Sequence, residues 1–488
     1  MLRFDSGVDS VRWSFEKHRS SRPTEQRLVP RPVRIPENAS CGSSGHASDW
    51  PTNVKPSARR CSQVTLLTPP LLLLFSALVP VSCCAADDEE TDQSAYSVRQ
   101  ITFGRQHHLF GYIGHVGNIP WNGDGRYVLA LRSSFQDHMP QPTEPAEILL
   151  LDTMDEYRAR KVDETRGWNL QQGTMFYWNP EAPDTQFFFN DRDPADGTIF
   201  TVLFDISRGE RVREFRFPDS PVANSGVAQT GGSFLALNYG RLARLRLVTG
   251  YAGSADWSQA DNAPENDGIF RVDVESGERV LLVSYRRLRE AVGRDEFPAI
   301  DDYGLFINHT LWNRASNRIY FYLRANFRSD LPQVNIPFTV NVDGTELTRH
   351  RLLGGHPEWD EGMTIIGADD DRQVRYDTSR REIVGTFGPR GTFAKPGGDI
   401  AMSPGREWFV NGSKEGQKRS GQRTVFTFFN RKSERVIRTR GFSIGSWVRG
   451  SLRIDPAPCW NRTSDQILFG ALDETTKTRQ LYVLSLNL

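Results

Sequence analysis

Three separate stretches of the chain crowd together the side chains that recognise sugars. The first reads Arg166-Gly167-Trp168-Asn169-Leu170-Gln171-Gln172-Gly173, the second Asn190-Asp191-Arg192. The third runs Asn238-Tyr239-Gly240-Arg241-Leu242-Ala243-Arg244, followed by Tyr251 and Glu265-Asn266-Asp267. Amides and guanidinia bind hydroxyls and carboxylates, and planar rings stack on pyranose faces. Each type also has a structural use. Asn190-Asp191-Arg192 reads equally as a turn with an internal ion pair. Arg241 and Arg244 read equally as exposed strand residues, and Trp168 as packing between sheets. Two histidine motifs follow, Ile307-Asn308-His309-Thr310-Leu311-Trp312 and Gly355-His356-Pro357-Glu358-Trp359. His107 and His108 fit a rim or a surface, and His115 and His138 fit solvated loops.

Such residues converge only if the elements carrying them do, and the elements are repeats. A Trp-Asn-like turn recurs at Trp178-Asn179-Pro180, Trp312-Asn313-Arg314, Trp359-Asp360-Glu361 and Trp460-Asn461-Arg462, with variants at Pro120-Trp121-Asn122 and Ser403-Pro404-Gly405. An apolar strand follows each turn, and the units close on strands such as Ile148-Leu149-Leu150-Leu151-Asp152. Seven units begin near Gly111, Gln172, Gly226, Ile307, Gly355, Gly398 and Pro456. Their spacing of roughly 55 residues suits four strands plus loops, the range of a propeller blade. The expectation is an all-β, seven-bladed β-propeller over residues 97–488. Its ring would be closed by a strand at Ser97–Phe103 pairing with the last blade, which leaves no sheet edge exposed. The turn tryptophans then pack between blades. The strongest helical segment is Tyr285–Val292.

Composition narrows the class further. The 488 residues hold 60 Lys+Arg against 60 Asp+Glu, which gives no reason to expect a nucleic-acid partner. With 29 Phe, 13 Tyr and 11 Trp, the chain has the aromatics of a packed body rather than of a disordered one. The sequence contains no Gly-x-Ser-x-Gly elbow, no His-Glu-x-x-His and no paired cysteine ligands.

The first hundred residues are of another kind. Residues 1–60 are rich in Arg, Pro and Ser and read as a disordered leader or a mis-called start, with Val54 as an alternative initiation point. Residues 61–86 read as a signal peptide: Arg59 and Arg60 precede an apolar run, Val64 to Val81, which ends in small residues. Residues 87–96 form an acidic linker. The mature chain is then slightly acidic, periplasmic or secreted, and without a transmembrane span; Pro69 and Pro70 argue against a stable anchor. Lipidation at Cys83 or Cys84 is the other option. Of the five cysteines only Cys459 lies beyond the signal, so no internal disulfide can form in the mature body.

The repeats resemble the TolB-like and oligogalacturonate-lyase-like propellers of bacteria, whose blades carry a similar turn. The resemblance covers nearly all of residues 97–488, and the two histidine motifs are its most specific part. It implies β-elimination on an oligogalacturonate, with a metal or an arginine on the uronate carboxylate and a base taking the C5 proton. On that reading His309 is the catalytic base, Arg241 stabilises the enolate-like charge, and His356 with Asp399 would ligate a metal. The substrate would lie along Trp168, Asn169, Gln171, Gln172, Asn190, Asp191, Arg192, Asn238, Arg244, Tyr251 and Asn308. The chain departs from the lyases at the next two blade entrances, Gly397-Gly398-Asp399-Ile400 and Asp455-Pro456-Ala457-Pro458, which lack histidine. A strong metal site is therefore not predicted, and any cofactor is unknown. The expected partner is an acidic oligosaccharide; the alternative is a TolB-like scaffold that binds protein without catalysis.

Overall fold

A computed structural model describes residues 94–111, 118–327, 329–416 and 421–488. The leader, the signal segment, Cys83, Cys84 and His115 lie outside them. Among the described residues there are seven sheets, each built on four antiparallel strands in meander order. The fold is an all-β, seven-bladed propeller.

Blade 1 comprises His107–Leu109, Tyr127–Ser133, Ala146–Asp152 and Arg158–Thr165, from the inner to the outer strand. Its burial shows why these sequences become these strands. Ile148, Leu149, Leu150 and Leu151 are all buried, although successive strand residues face opposite sides. A middle strand is covered on both faces by neighbouring blades, so it reads as a continuous apolar run. The outer strand begins Arg-Ala-Arg-Lys and is exposed there. The predicted unit starts fall close to the inner strands: Tyr177–Trp178, Ala223–Val227, Phe306–Trp312, Gly354–Trp359, Asp399–Met402 and Cys459–Trp460 for blades 2 to 7. Blade 1 differs, because its inner strand includes His107 and His108. Both are buried, not at a rim or surface.

The turn tryptophans do more than fill space. Trp178 donates its indole N–H to the Pro120 carbonyl at 2.8 Å, Trp312 to Gly226 at 2.9 Å, Trp359 to Leu311 at 2.8 Å and Trp460 to Ala401 at 3.0 Å. Each bond links a blade to the one before it, and each satisfies a buried donor that would otherwise be costly.

Tyr96–Gln100 is the outer strand of blade 7, with Tyr96 opposite Leu486 and Gln100 opposite Tyr482. The first and last parts of the described chain therefore share one sheet. Blade 7 also touches blade 1: His108 Nδ1 lies 2.8 Å from Gln480 Oε1, and Arg462 Nε donates to the Asn122 carbonyl at 2.9 Å.

Two helices interrupt the pattern. Tyr285–Val292 is helical as expected (α2), with Ser284 capping Arg287 N. Tyr239–Arg246 is also a helix (α1), in the long connection between the second and third strands of blade 3, and this corrects the reading of Arg241 and Arg244 as exposed strand residues. Asn238 caps α1 by accepting from Arg241 N at 3.0 Å, and Leu, Ala and Arg favour the helix that follows. No helix among the described residues is long and apolar enough to cross a membrane.

Candidate functional site

The Trp-containing turns end the inner strands on one face of the propeller. On the opposite face lie the starts of those strands and the long connections. Here a small recess of about 50 Å³ gathers Gln171, Gln172, Asn308, His309 and His356. Five further residues complete it: Arg246, Thr249, Arg324, Arg453 and Asp455.

His309 owes its position to a break in the strand. The register of Phe306–Trp312 against its neighbour slips between Asn308 and Leu311, and His309 sits at φ +58°. That left-handed conformation is uncommon for a residue with a side chain, and a bulge re-aims the residue it contains. Asn308 Oδ1 accepts from His309 N at 2.7 Å, and Thr310 anchors the far side by donating to the Ser225 carbonyl at 2.9 Å. The His309 ring lies 5.2 Å from the His356 ring and 5.9 Å from that of Tyr322.

His356 Nδ1 is 2.6 Å from Asp399 Oδ1, and Asp399 Oδ2 accepts from Ala457 N at 3.0 Å. Burial alone would push the Asp399 carboxyl up, but the His356 imidazole holds it below the usual carboxylate range. Asp455 is the second carboxylate centre. It accepts from Gln171 Nε2 at 2.5 Å, from Lys414 Nζ at 2.9 Å and from Arg453 Nε at 2.9 Å. Arg324 lies 4.6 Å over the Tyr322 ring and donates to Asn335 Oδ1, and burial pulls its guanidinium below the usual value. Arg246 lies 4.3 Å over Phe327.

Other members of the predicted set are placed elsewhere. Arg241 is fully buried, and its guanidinium donates to the Leu305 carbonyl at 2.6 Å, to Asp261 at 3.1 Å and to Asn262. It holds connections of blade 3 together and cannot reach a substrate at the mouth, so its expected catalytic role is withdrawn. Arg244 pairs with Asp256 at 2.8 Å, and Asn238 Nδ2 donates to Asp256 and Asp267 at 2.9 Å each. Tyr251 is buried and stacks on Tyr239 at 4.3 Å. Asn190 Nδ2 donates to the Asn224 carbonyl and to Tyr251 Oη. Asp191 pairs with Arg211 at 2.9 Å, and Arg192, buried, donates to Ser254 Oγ at 2.6 Å. Trp168 is buried beside Phe135 and donates to the Glu144 carbonyl. None of these side chains lines the recess around His309; the expectation that they meet a substrate there is corrected. Asn169 acts indirectly: its Oδ1 accepts from Gln171 N at 3.0 Å and Gln172 N at 2.7 Å, which shapes the loop that presents both glutamines. His138 is not simply solvated either, since Asp137 and Glu144 flank its two ring nitrogens.

The arginines that do reach the mouth went unnoticed in the sequence. Arg324 is the next-to-last residue of the second strand of blade 4, Arg246 ends α1, and Arg453 precedes the Asp455-Pro456 entrance. Only the last had a local signal, the blade-entrance motif beside it. For metal binding the donor set is small. His356 and Asp399 face each other, and among the described residues no group of three or more His, Cys, Asp or Glu could hold an ion. Two donors bonded to one another do not fit the several-histidine centre that the lyase resemblance implies.

The fold and the mouth define a seven-bladed propeller with a cationic, amide-lined recess at one end of its axis. No family profile and no curated protein sequence matches the chain. Among solved structures, it is similar to an oligogalacturonate lyase from Vibrio parahaemolyticus, with 12% identity and a TM-score of 0.52 over 81% of this chain and 95% of that one. A β-propeller domain from Myceliophteria thermophila is more distant, with 10% identity and a TM-score of 0.39 over 80% of this chain and 100% of that one. The chain thus has an oligogalacturonate-lyase-like propeller fold.

Proposed function

We propose that the mouth binds acidic oligosaccharides. The observation that carries this reading is the convergence of Arg246, Arg324 and Arg453 with Gln171, Gln172 and Asn308 around one recess. Guanidinia take carboxylates in two-pronged pairs, and amides take the hydroxyls between them. The fold shared with an oligogalacturonate lyase supports the same class of ligand.

Turnover by β-elimination belongs to the same proposal. A neutral imidazole at His309 would accept the proton α to the uronate carboxylate, and the C–H electron pair would pass into that carboxylate as an enolate. Arg324, rather than the buried Arg241, would face the developing charge. Collapse of the enolate forms the C4–C5 double bond and breaks the C4–O bond, and the departing oxygen takes up a proton. Export of the mature chain to the periplasm or beyond is also part of the proposal and rests on the 61–86 segment.

Calorimetry against acidic and neutral oligosaccharides, repeated with Arg324→Ala and His309→Ala, tests the reading. Binding of the acidic ligands should weaken about tenfold or more on loss of Arg324, the effect of a partly shielded charged hydrogen bond of roughly 1.5–3 kcal/mol. Ultraviolet absorbance of an unsaturated product that vanishes in His309→Ala would establish elimination. Identical isotherms for all three proteins, with no product, would instead favour a scaffold that binds protein.

A further inference from the structure

On the face of the Trp-containing turns, away from the mouth, a recess of about 320 Å³ opens between blades 7 and 1. It is several times larger than the mouth recess and falls in the range of small-ligand sites. Trp178, Trp312, Trp359 and Trp460 each donate an indole N–H to the blade before them; Trp121 of blade 1 does not. Only 3% of Trp121 is exposed, yet it lines this recess, and among the described residues its N–H has no acceptor. Arg462 enters from blade 7. Its Nε donates to the Asn122 carbonyl at 2.9 Å, but among the described residues neither Nη has a hydrogen-bond or ion-pair partner. Asp184 acts on it only from beyond contact distance, and burial pulls the guanidinium below its usual value. The Tyr157 hydroxyl is a third unused donor. Exposed Asp124 also lines the recess and spends one oxygen on Arg126 N at 2.9 Å.

Unused donors in a partly dry recess suit an anion, which would satisfy them together. One guanidinium balances one negative charge, so a carboxylate fits better than a doubly charged phosphate. Asp124 adds a complementary demand, an N–H donor close to that carboxylate. We propose that this recess binds the carboxylate of an amino-acid unit, either a small N-acylated acid or the carboxyl terminus of a peptide. Arg462 takes the carboxylate, the Trp121 and Tyr157 donors take the oxygen positions left over, and Asp124 accepts from the ligand's amide. The bond that Trp121 does not make within the protein goes to the ligand, which then bridges blades 7 and 1. The site is independent of the mouth, since the two recesses lie on opposite faces and share no lining residue.

Calorimetry on the full-length protein tests this with three probes: N-acetylglycine, acetyl-trialanine with a free carboxyl terminus, and the same peptide amidated. The acids should bind and the amide should not. Arg462→Ala should weaken the acids about tenfold or more, the effect of losing a two-pronged charged pair. Trp121→Phe is the second variant, should loss of the Arg462 bond to Asn122 disturb folding. It removes the N–H while breaking no hydrogen bond within the protein, and it should weaken the acids several-fold. Arg324→Ala, at the mouth, should leave their affinity unchanged. Tighter binding of the tripeptide than of N-acetylglycine would make a peptide terminus the ligand, and equal or reversed affinities a small acid. Binding of the amide as tight as that of the acids, no binding of either acid, or full affinity in both recess variants would overturn the proposal. So would affinity lost in Arg324→Ala alone.

Discussion

His356 Nδ1 and Asp399 Oδ1 stand 2.6 Å apart, the first from the inner strand of blade 5 and the second from that of blade 6. The contact ties two blades together at the mouth and fixes which edge of the His356 ring is turned toward His309. Replacing Asp399 with Asn keeps the shape but removes the charge. We expect a loss of about 1–3 kcal/mol in urea unfolding, the range for breaking a largely buried charged pair. A double-mutant cycle with His356→Ala should return a coupling of about 1 kcal/mol or more. Additive single effects would show that the two side chains do not act together.

Arg241 and Arg324 should separate stability from binding. Arg241→Ala takes the donor from the Leu305 and Asp261 carbonyls and leaves the Asn262 carbonyl only its bond from Leu305 N. Each orphaned buried group costs about 1–3 kcal/mol, so thermal melting should fall sharply. Arg324→Ala should shift melting far less and weaken ligand binding. A melting temperature unchanged in Arg241→Ala would contradict the burial described for it.

Glu358 gives the protein an alkaline weakness. Its carboxyl is buried in the inner strand of blade 5, and burial pushes it up to about 8 despite the nearby Arg314; Oε2 accepts from Met402 N at 3.0 Å. An acid whose folded pKa lies above its unfolded one near 4.3 holds its proton more tightly when folded. Stability must then fall as pH rises from the unfolded value to about 8. Buried His108 and His350, each lowered to about 4 chiefly by burial, act in the opposite sense as pH drops below 6.5. The Glu358 effect is therefore read most cleanly between about pH 6.5 and 8. Melting temperature should decline across that window in wild type and stay flat in Glu358→Gln.

Removing Tyr96–Gln100 should strip the outer edge from blade 7 and lower the stability of the whole propeller, because adjoining blades share their apolar faces. Differential scanning calorimetry of the shortened protein checks this. An unchanged transition would show that the pairing contributes nothing to the integrity of the ring.

The architecture was legible because its signal repeats: a turn such as Trp359-Asp360 recurs with enough regularity to count blades. The site was legible only where a motif opens an inner strand, as at Asn308-His309, His356 and the Gln171-Gln172 loop. Arg246, Arg324 and Arg453 reach the mouth from a helix end, a strand end and a loop, and only the closed packing of blades brings such distant positions together. The blade 3 connection misled for a related reason. Asn238, Arg241, Arg244 and Tyr251 have the residue types of a sugar site, but their polar groups serve a long excursion of backbone that must find its hydrogen bonds within the protein. Trp168 and Arg192 belong to the same class.

The indole staples give the ring a direction and leave it with unlike joints. Blades 2, 4, 5 and 7 each grip the blade before them through a tryptophan that no change of pH can loosen. Between blades 5 and 6 the corresponding grip on Met402 N comes from Glu358, a carboxyl that changes charge near pH 8. Alkali should therefore loosen the seam between blades 5 and 6, next to the strand that carries His356, while the four indole-stapled joints hold.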